Sequence, residues 1–594
     1  MVLGGKEMEK LKNFQVAAYV YAYTLDRLSD EEIRRGLDYF LQYIDLRKVY
    51  LENHRANTDI SKEKMRHYKE LFAEYGLEVS SGITSTVLVN GIRKPAIYDT
   101  FCYSDPAHRE KYLNIVKDLA EVFDEIILDD FFFTSCRCEL CIEKKGKRSW
   151  KDYRLDLMEE FSKEIVDLAH QINPNCNFII KYPNWYEAYQ ECGYNPGKQK
   201  DIFDMVYTGT ETRSPLYSTQ HLQRYMSYSL MRWMENAAPG RNGGGWIDQG
   251  GSAGNLSVWL EQANLTVLSG ARELMLFNFE VLIDSPALPP LGQELYRFDR
   301  FMDQVGKPVG VSMYEPFDGE GEDQAVNYLG MAGIPFEMTP VFEESAPAVF
   351  LQKSAASDPD IFPKLEQYVR KGGHAIVTAG FFEAVYDQGI REMTSVRLTG
   401  RHVTGQEYMI DHYNNLDMRF CKGTEPIGIP ALDYRTNATW CDVLLLDGEC
   451  NFPILSEDYY GKGCLYILNL PGNPAHMYRF PAEVWRMIGK ELTYGLPVQM
   501  ANEAKYNLFL YDNEKLCISS YRPYYESAEL IVKGDEYEAV RDIESGMLYT
   551  PHSTRKGPGR RGDSATTQEE PVERVYRIPM APGGFRFLEL IRRS

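Results

Sequence analysis

From Asn13 to Asp284 the chain alternates short β-rich runs with amphipathic helical runs, eight times over. The strand candidates are Phe14 to Tyr23, Arg47 to Glu52, Leu77 to Ser81, Glu125 to Asp130, Phe178 to Tyr182, Met205 to Thr208, Gly244 to Asp248 and Glu273 to Phe279. Helical candidates between them include Asp30 to Ile44, Ser61 to Tyr75, His108 to Phe123 and Trp150 to Ile172, with Ser29 and Ser61 placed as caps. This rhythm is that of parallel strands joined by crossover helices. Eight units predict an α/β chain beginning with a (β/α)8 TIM barrel, with a doubly wound open sheet as the other arrangement.

At 594 residues the chain exceeds what one core usually supports. Past Lys307 the alternation restarts with strands at Val309 to Tyr314, Phe336 to Phe342, Ala348 to Leu351 and His374 to Thr378. Helices near Asp323 to Met331 and Asp360 to Lys371, the latter closed by Gly372-Gly373, complete a flavodoxin-like α/β pattern. Leu508 to Tyr511, Leu516 to Tyr521, Ala528 to Val532 and Phe585 to Leu590 then suggest a small β-sandwich. The expected domains are 1–304, 305–498 and 499–594. Pro551 to Pro571 reads as a mobile loop, and the Arg561-Gly562-Asp563 within it as chance.

The net charge of −21 argues against a nucleic-acid or anionic-membrane partner. No apolar run reaches the roughly 18 to 20 residues of a membrane span, and Met1 to Lys12 lacks a signal-peptide core, so a soluble cytoplasmic protein is expected.

In such barrels chemistry gathers at strand carboxyl ends. The polar residues there are Glu52, His54 and Arg55 after strand 2, Asp129 and Asp130 after strand 4, and Lys181 after strand 5. Glu211 and Arg213 follow strand 6, Asp248 and Gln249 strand 7, and Glu280 and Asp284 strand 8. The aromatics Phe131, Tyr182, Trp185, Tyr207 and Trp246 lie among them. A crowd of carboxyls beside aromatic platforms suits glycoside hydrolysis, in which one carboxyl protonates the leaving oxygen while another attacks or activates water. Asp130, Asp248, Asp129 and Glu211 are the catalytic candidates. His54, Arg55, Lys181, Tyr182, Trp185, Arg213, Trp246 and Glu280 are candidates for holding a carbohydrate substrate. Each also has a plainer role open to it: one of Asp129 and Asp130 as a cap or arginine partner, Glu211 as the partner of Arg213, His54 as a structural histidine, and Glu280 as a packing residue.

Cys136-x-Cys138-x-x-Cys141 supplies three thiols on one loop, and Cys102 supplies a fourth from the loop after strand 3. Four thiolates from adjacent loops match a closed tetrahedral zinc site. Such a site pins loops and leaves no position open for water; unmetallated loop cysteines are the alternative.

This cysteine pattern behind a strand-4 carboxylate resembles glycoside hydrolase family 42, the zinc-containing β-galactosidases, and also fits the related family 164 β-mannosidases. Where family 42 has Asn-Glu at the end of strand 4, this chain has Asp129-Asp130; its Trp246-Ile247-Asp248-Gln249 is similar to the strand-7 segment that carries the nucleophile. A turn at Ser269-Gly270-Ala271 stands where the family has a His-Gly-Ala-like one. The resemblance implies Asp130 as acid/base, Asp248 as nucleophile, a flavodoxin-like trimerisation domain and hence a homotrimer. Both family glutamates are aspartates here. An alternative assignment, as in barrel glycosidases of the α-galactosidase type, makes Asp129 or Asp130 the nucleophile and Glu211 the acid. The flavodoxin-like segment also resembles glutamine amidotransferases, but Lys307 to Phe382 holds no cysteine elbow, so a scaffold role is expected. The whole reading is an exo-acting glycoside hydrolase, with galactosides or mannosides as first substrates; a non-catalytic or regulatory carbohydrate-binding relative is the alternative.

Overall fold

A computed structural model describes residues 10–87, 99–213, 222–248, 256–322, 325–412, 417–556 and 572–593. Gln249, Asp323 and Arg561-Gly562-Asp563 fall outside these residues, as does most of the expected Pro551 to Pro571 loop. The chain divides into two compact units, residues 1–303 and 304–594. Among the described residues no helix is long and apolar enough to cross a membrane.

The first unit is a closed barrel of eight parallel strands: β1 Gln15–Val20, β2 Leu46–Arg55, β3 Glu78–Ile83, β4 Glu125–Leu128, β5 Asn177–Tyr182, β6 Met205–Gly209, β7 Asn242–Asp248 and β8 Glu273–Phe277. Each pairs with its neighbour, and β1 pairs with both β2 and β8, which closes the ring. Most strand bounds differ from the sequence reading by one or two residues, and the carboxyl ends of β1 and β2 by three. β1 stops at Val20 because the chain turns into the helix Ala22–Arg27, whose first N–H is taken by Glu52 at 2.8 Å. β2 runs on to Arg55 through a register shift between Glu52 and His54, and a short strand, Thr58–Asp59, folds back on it. The capping serines act as expected: Ser29 accepts from the Glu32 N–H in a full capping box, and Ser61 from Lys64 N–H.

Side chains pointing into the barrel form three levels. At the amino end of the strands, Lys48 pairs with Glu125 and lies 3.9 Å from Glu273. The middle level is aromatic and aliphatic: Ala17, Tyr19, Tyr50, Ile127, Ile179, Tyr207, Trp246 and Met275. Gly82 belongs to this level because a β-carbon there would come within 2.5 Å of the Tyr19 hydroxyl. The top level, at the carboxyl ends, is the charged mouth described below.

Among the described residues, the second unit contains three sheets. Its nine-stranded sheet has a parallel part ordered Phe336–Thr339, Val311–Tyr314, Ala348–Leu351, His374–Thr378, Gly463–Leu468, the flavodoxin-like order 2-1-3-4-5. An antiparallel extension not evident from the sequence, Asn451–Tyr460, Trp440–Leu446, His402–His412 and Asp417–Pro430, continues that sheet. A six-stranded and a four-stranded antiparallel sheet then share one apolar core, with Leu508, Ile518, Leu530, Tyr576 and Leu588 at its centre, and form the β-sandwich. The sandwich also recruits Pro308–Val309 from the start of the unit, antiparallel to Tyr506–Tyr511.

Candidate active site

Period-two alternation decides which residues reach the mouth. In β6 and its continuation, Thr208-Gly209-Thr210-Glu211-Thr212-Arg213, the threonines bond to surrounding structure. Thr210 Oγ1 donates to Trp246 O at 3.0 Å and accepts from Thr266 at 2.9 Å, while the Thr212 hydroxyl lies 2.6 Å from that of Ser227. Glu211 and Arg213 are thereby left to face inward. Gly209 makes room for Glu211, since a β-carbon at that position would lie 2.6 Å from Glu211 Oε2.

Lys181, at the end of β5, is the hub. It is 1% exposed, its ammonium stands 4.2 Å above the Trp246 ring, and it meets three carboxylates: Glu211 at 2.6 Å, Asp130 at 3.2 Å and Asp129 at 3.4 Å. Burial works against its charge, but the three carboxylates outweigh burial and hold Lys181 above the usual lysine range. Since Asp130 and Glu211 both reach one ammonium, the oxygens that do so lie at most about 6 Å apart, short of the roughly 6.5 to 9.5 Å of inverting glycosidases.

Asp129 and Asp130 are adjacent but differ in surroundings. Asp129 points inward from β4, accepts from Arg55 at 3.0 Å and from the Asp130 N–H at 2.8 Å, and lies 3.0 Å from the Thr84 hydroxyl. Burial would raise it, but Lys181 and Arg55 prevail and keep it below the usual aspartate range. Asp130 sits one residue beyond the strand with its side chain 24% exposed. Burial first, then the charges of Asp129 and Glu211, push it up to about 8 against the pull of Lys181. The two neighbours are thus shifted in opposite directions, Asp130 toward its protonated form and Asp129 toward its ionised one. Glu211 is also raised, mainly by burial, and Asn184 donates to its Oε2 at 3.3 Å.

Across the mouth Arg213 grips both Asp248 oxygens, with Nε 3.0 Å from Oδ1 and Nη2 against Oδ2. Arg55 donates to both Glu52 oxygens at 3.0 Å and lies 4.6 Å over the Tyr21 ring. Glu52 in turn accepts from Tyr19 at 3.0 Å and from Thr84.

The structure thus gathers Arg55, Asp129, Asp130, Lys181, Glu211, Arg213 and Asp248 at one end of the barrel, with Trp246 as the floor beneath Lys181. Other sequence candidates lie elsewhere. His54 faces outward, its two ring nitrogens held by Asp59 and the Thr86 carbonyl. Tyr182, on the outer face of β5, packs on Tyr189 and Tyr194 with its hydroxyl toward Gln199. Glu280 accepts from Thr24 and pairs with Arg27. Trp185 stands in the loop after β5 among Phe133, Tyr189 and Tyr194. Thr84 and Asn184 are mouth residues absent from the sequence candidates. Extending the inward alternation of β3 through Ser80 and Gly82 would have reached Thr84.

Beside the mouth, the sulfurs of Cys102, Cys136, Cys138 and Cys141 all lie within 4.8 Å of one another. Cys102 is 3.7 Å from Cys138 and 3.5 Å from Cys141, near the roughly 3.8 Å edge of a tetrahedron with 2.3 Å zinc–sulfur bonds. The donor set therefore fits zinc. Cys138 caps the helix Glu139–Lys145, which places Cys141 in its first turn, while Cys102 comes from the loop after β3.

The fold is shared with solved glycosidases. Gan42B, a GH42 β-galactosidase from G. stearothermophilus, aligns over 98% of this chain and 99% of its own with a TM-score of 0.63 at 12% identity. The β-galactosidase of Bacillus circulans sp. alkalophilus aligns over 97% and 99% (TM-score 0.61, 11% identity), and exo-β-1,4-mannosidase Op5Man5 of Opitutaceae bacterium strain TAV5 over 81% and 95% (0.53, 11%). At such identities the likeness is one of fold. In sequence, the uncharacterized protein SSO3021 of Saccharolobus solfataricus is 27% identical over 377 residues, 56% of this chain, and the chain spans 62% of that relative's length. Residues 306–473 match a family model described as the second domain of that protein. Residues 5–317, more than half of the chain, match the model of a probable glycosyl hydrolase catalytic domain, and the chain belongs to that family.

Proposed function

We propose that the protein is an exo-acting glycoside hydrolase in which Asp130 is the proton donor to the leaving oxygen. What supports this reading is the contrast between two adjacent carboxyls, Asp129 held by Arg55 and the Asp130 N–H and shifted down, Asp130 one residue beyond the strand beside Lys181 and pushed up to about 8, a contrast that suits one site to supply both an acid and a fixed negative charge. Glu211 is the nearest partner, and its spacing from Asp130 supports a double displacement, in which Glu211 attacks the anomeric carbon and Asp130 afterwards deprotonates the incoming water. Lys181 lies beneath both and balances whichever is ionised. A second reading, with Asp248 as the attacking carboxylate, is favoured by its position at the end of β7 and by the Arg213 grip on both its oxygens.

Galactosides and mannosides are the first substrates to try, since β-galactosidases and an exo-β-mannosidase share the fold. Cys102, Cys136, Cys138 and Cys141 would hold a structural zinc that ties the loops after β3 and β4 and takes no part in hydrolysis. The flavodoxin-like region is proposed as the assembly surface of a homotrimer. A panel of nitrophenyl glycosides tests the activity: turnover of at least one sugar is expected, and none across the panel would favour a sugar-binding relative without catalysis.

A further inference from the structure

We infer that Gln262 is the positioning residue that fixes the ends of β6 and β7 against each other, an inference that rests on the glycosidase reading. Gln262 lies in the helix Leu256–Leu268 and is fully buried. A primary amide in such surroundings is costly unless both its ends are bonded, and both are. Its Oε1 accepts from the Asp248 N–H at 3.2 Å, and its Nε2 donates to the Thr212 carbonyl at 3.1 Å. Thr212 lies between Glu211 and Arg213, so one side chain joins the backbone that carries the Arg213–Asp248 pair on both sides. It also borders Glu211, so it serves either choice of attacking carboxylate. One turn further along the helix Thr266 repeats the pattern, donating to Thr210 at 2.9 Å. This polar face is why a helix otherwise rich in Leu, Val and Trp carries Gln262 and Thr266 in buried positions.

The substitutions Q262E and Q262L separate positioning from packing. Q262E retains the shape and the acceptor but cannot donate to Thr212 while ionised. The charged groups around it are Asp248, Arg213 and Glu211 at the strand ends and the Arg224–Glu261 pair on the helix side. Measured on the nitrophenyl glycoside that the wild type turns over best, Q262E is expected to lose about ten- to a hundredfold in kcat at pH 7 with little change in KM. It should regain part of this loss as the pH falls and the introduced carboxyl, which burial and the neighbouring carboxylates raise above a free glutamate, takes up a proton. Q262L should show the loss at every pH, without recovery. Variants that only melt earlier, with wild-type kcat and pH profile, would overturn the inference. If the wild type hydrolyses nothing in the panel, the glycosidase reading fails on its own, and crystal structures then decide the inference. A shift of the Arg213–Asp248 pair by more than about 0.5 Å in Q262L supports it, and an unmoved pair overturns it.

Discussion

Replacing Asp130 with Asn removes the proton donor while preserving its size. Because the Asp130 carboxyl is pushed up to about 8, the wild-type enzyme should protonate leaving groups across the neutral range and lose this ability above pH 8. For substrates with poor leaving groups such as alcohols, general acid assistance is worth about 10² to 10⁴, or about 2.7 to 5.4 kcal/mol of barrier. Asp130→Asn should cost that much in kcat/KM on disaccharides. With dinitrophenyl glycosides, whose leaving group departs without a proton, the loss in the glycosylation step should be less than about tenfold. The alkaline limb near pH 8 should vanish from the variant's kcat/KM profile. Asp129 is one of the charges that raise Asp130, so Asp129→Asn should move the limb of any remaining activity below pH 8. Paired assays on a natural disaccharide and a dinitrophenyl glycoside over pH 5 to 10 test this. Equal losses on both substrates, or an unchanged alkaline limb in Asp130→Asn, would refute the assignment.

Glu211→Gln should abolish turnover whatever the leaving group, while Asp248→Asn should retain measurable activity; the opposite result, with azide rescuing only Asp248→Asn, would make Asp248 the nucleophile. Elemental analysis of protein purified without added metal should give close to one zinc per chain, and Cys138→Ser should lower both the zinc content and Tm. Light scattering should return a mass near three times 68.4 kDa, against which a monomer at micromolar concentration would count.

The barrel was legible because most strands carry a short apolar run between amphipathic helices, several of them capped, a pattern that local chemistry imposes. Ser29 and Ser61 cap where their spacing to charged first turns placed them. The four cysteines were legible as well, since metal-ligand spacing is a local signal and only Cys102 had to be brought in by the barrel. What the sequence could not supply was direction. His54 and Arg55 are neighbours, yet the register shift in β2 turns Arg55 to the mouth and His54 outward to Asp59. Asp129 and Asp130 shift in opposite directions because Lys181 and Arg55, distant in sequence, outweigh burial at Asp129, whereas burial and the charges of Asp129 and Glu211 prevail at Asp130. The antiparallel extension of the second unit was missed because its strands are mostly held by one another, His402–His412 to Asp417–Pro430 above all, without the helix alternation that marked the rest.

The segment Thr208 to Arg213 commits every position, even ones to scaffold hydroxyls and odd ones to the mouth, and so makes this stretch intolerant of length change. Inserting or deleting a single residue before Glu211 would exchange the two faces, driving a carboxylate into the helix layer and a threonine into the mouth. Homologous chains that keep the chemistry should therefore vary here by substitution and never by insertion, and loop grafts meant to alter substrate choice have to begin beyond Arg213.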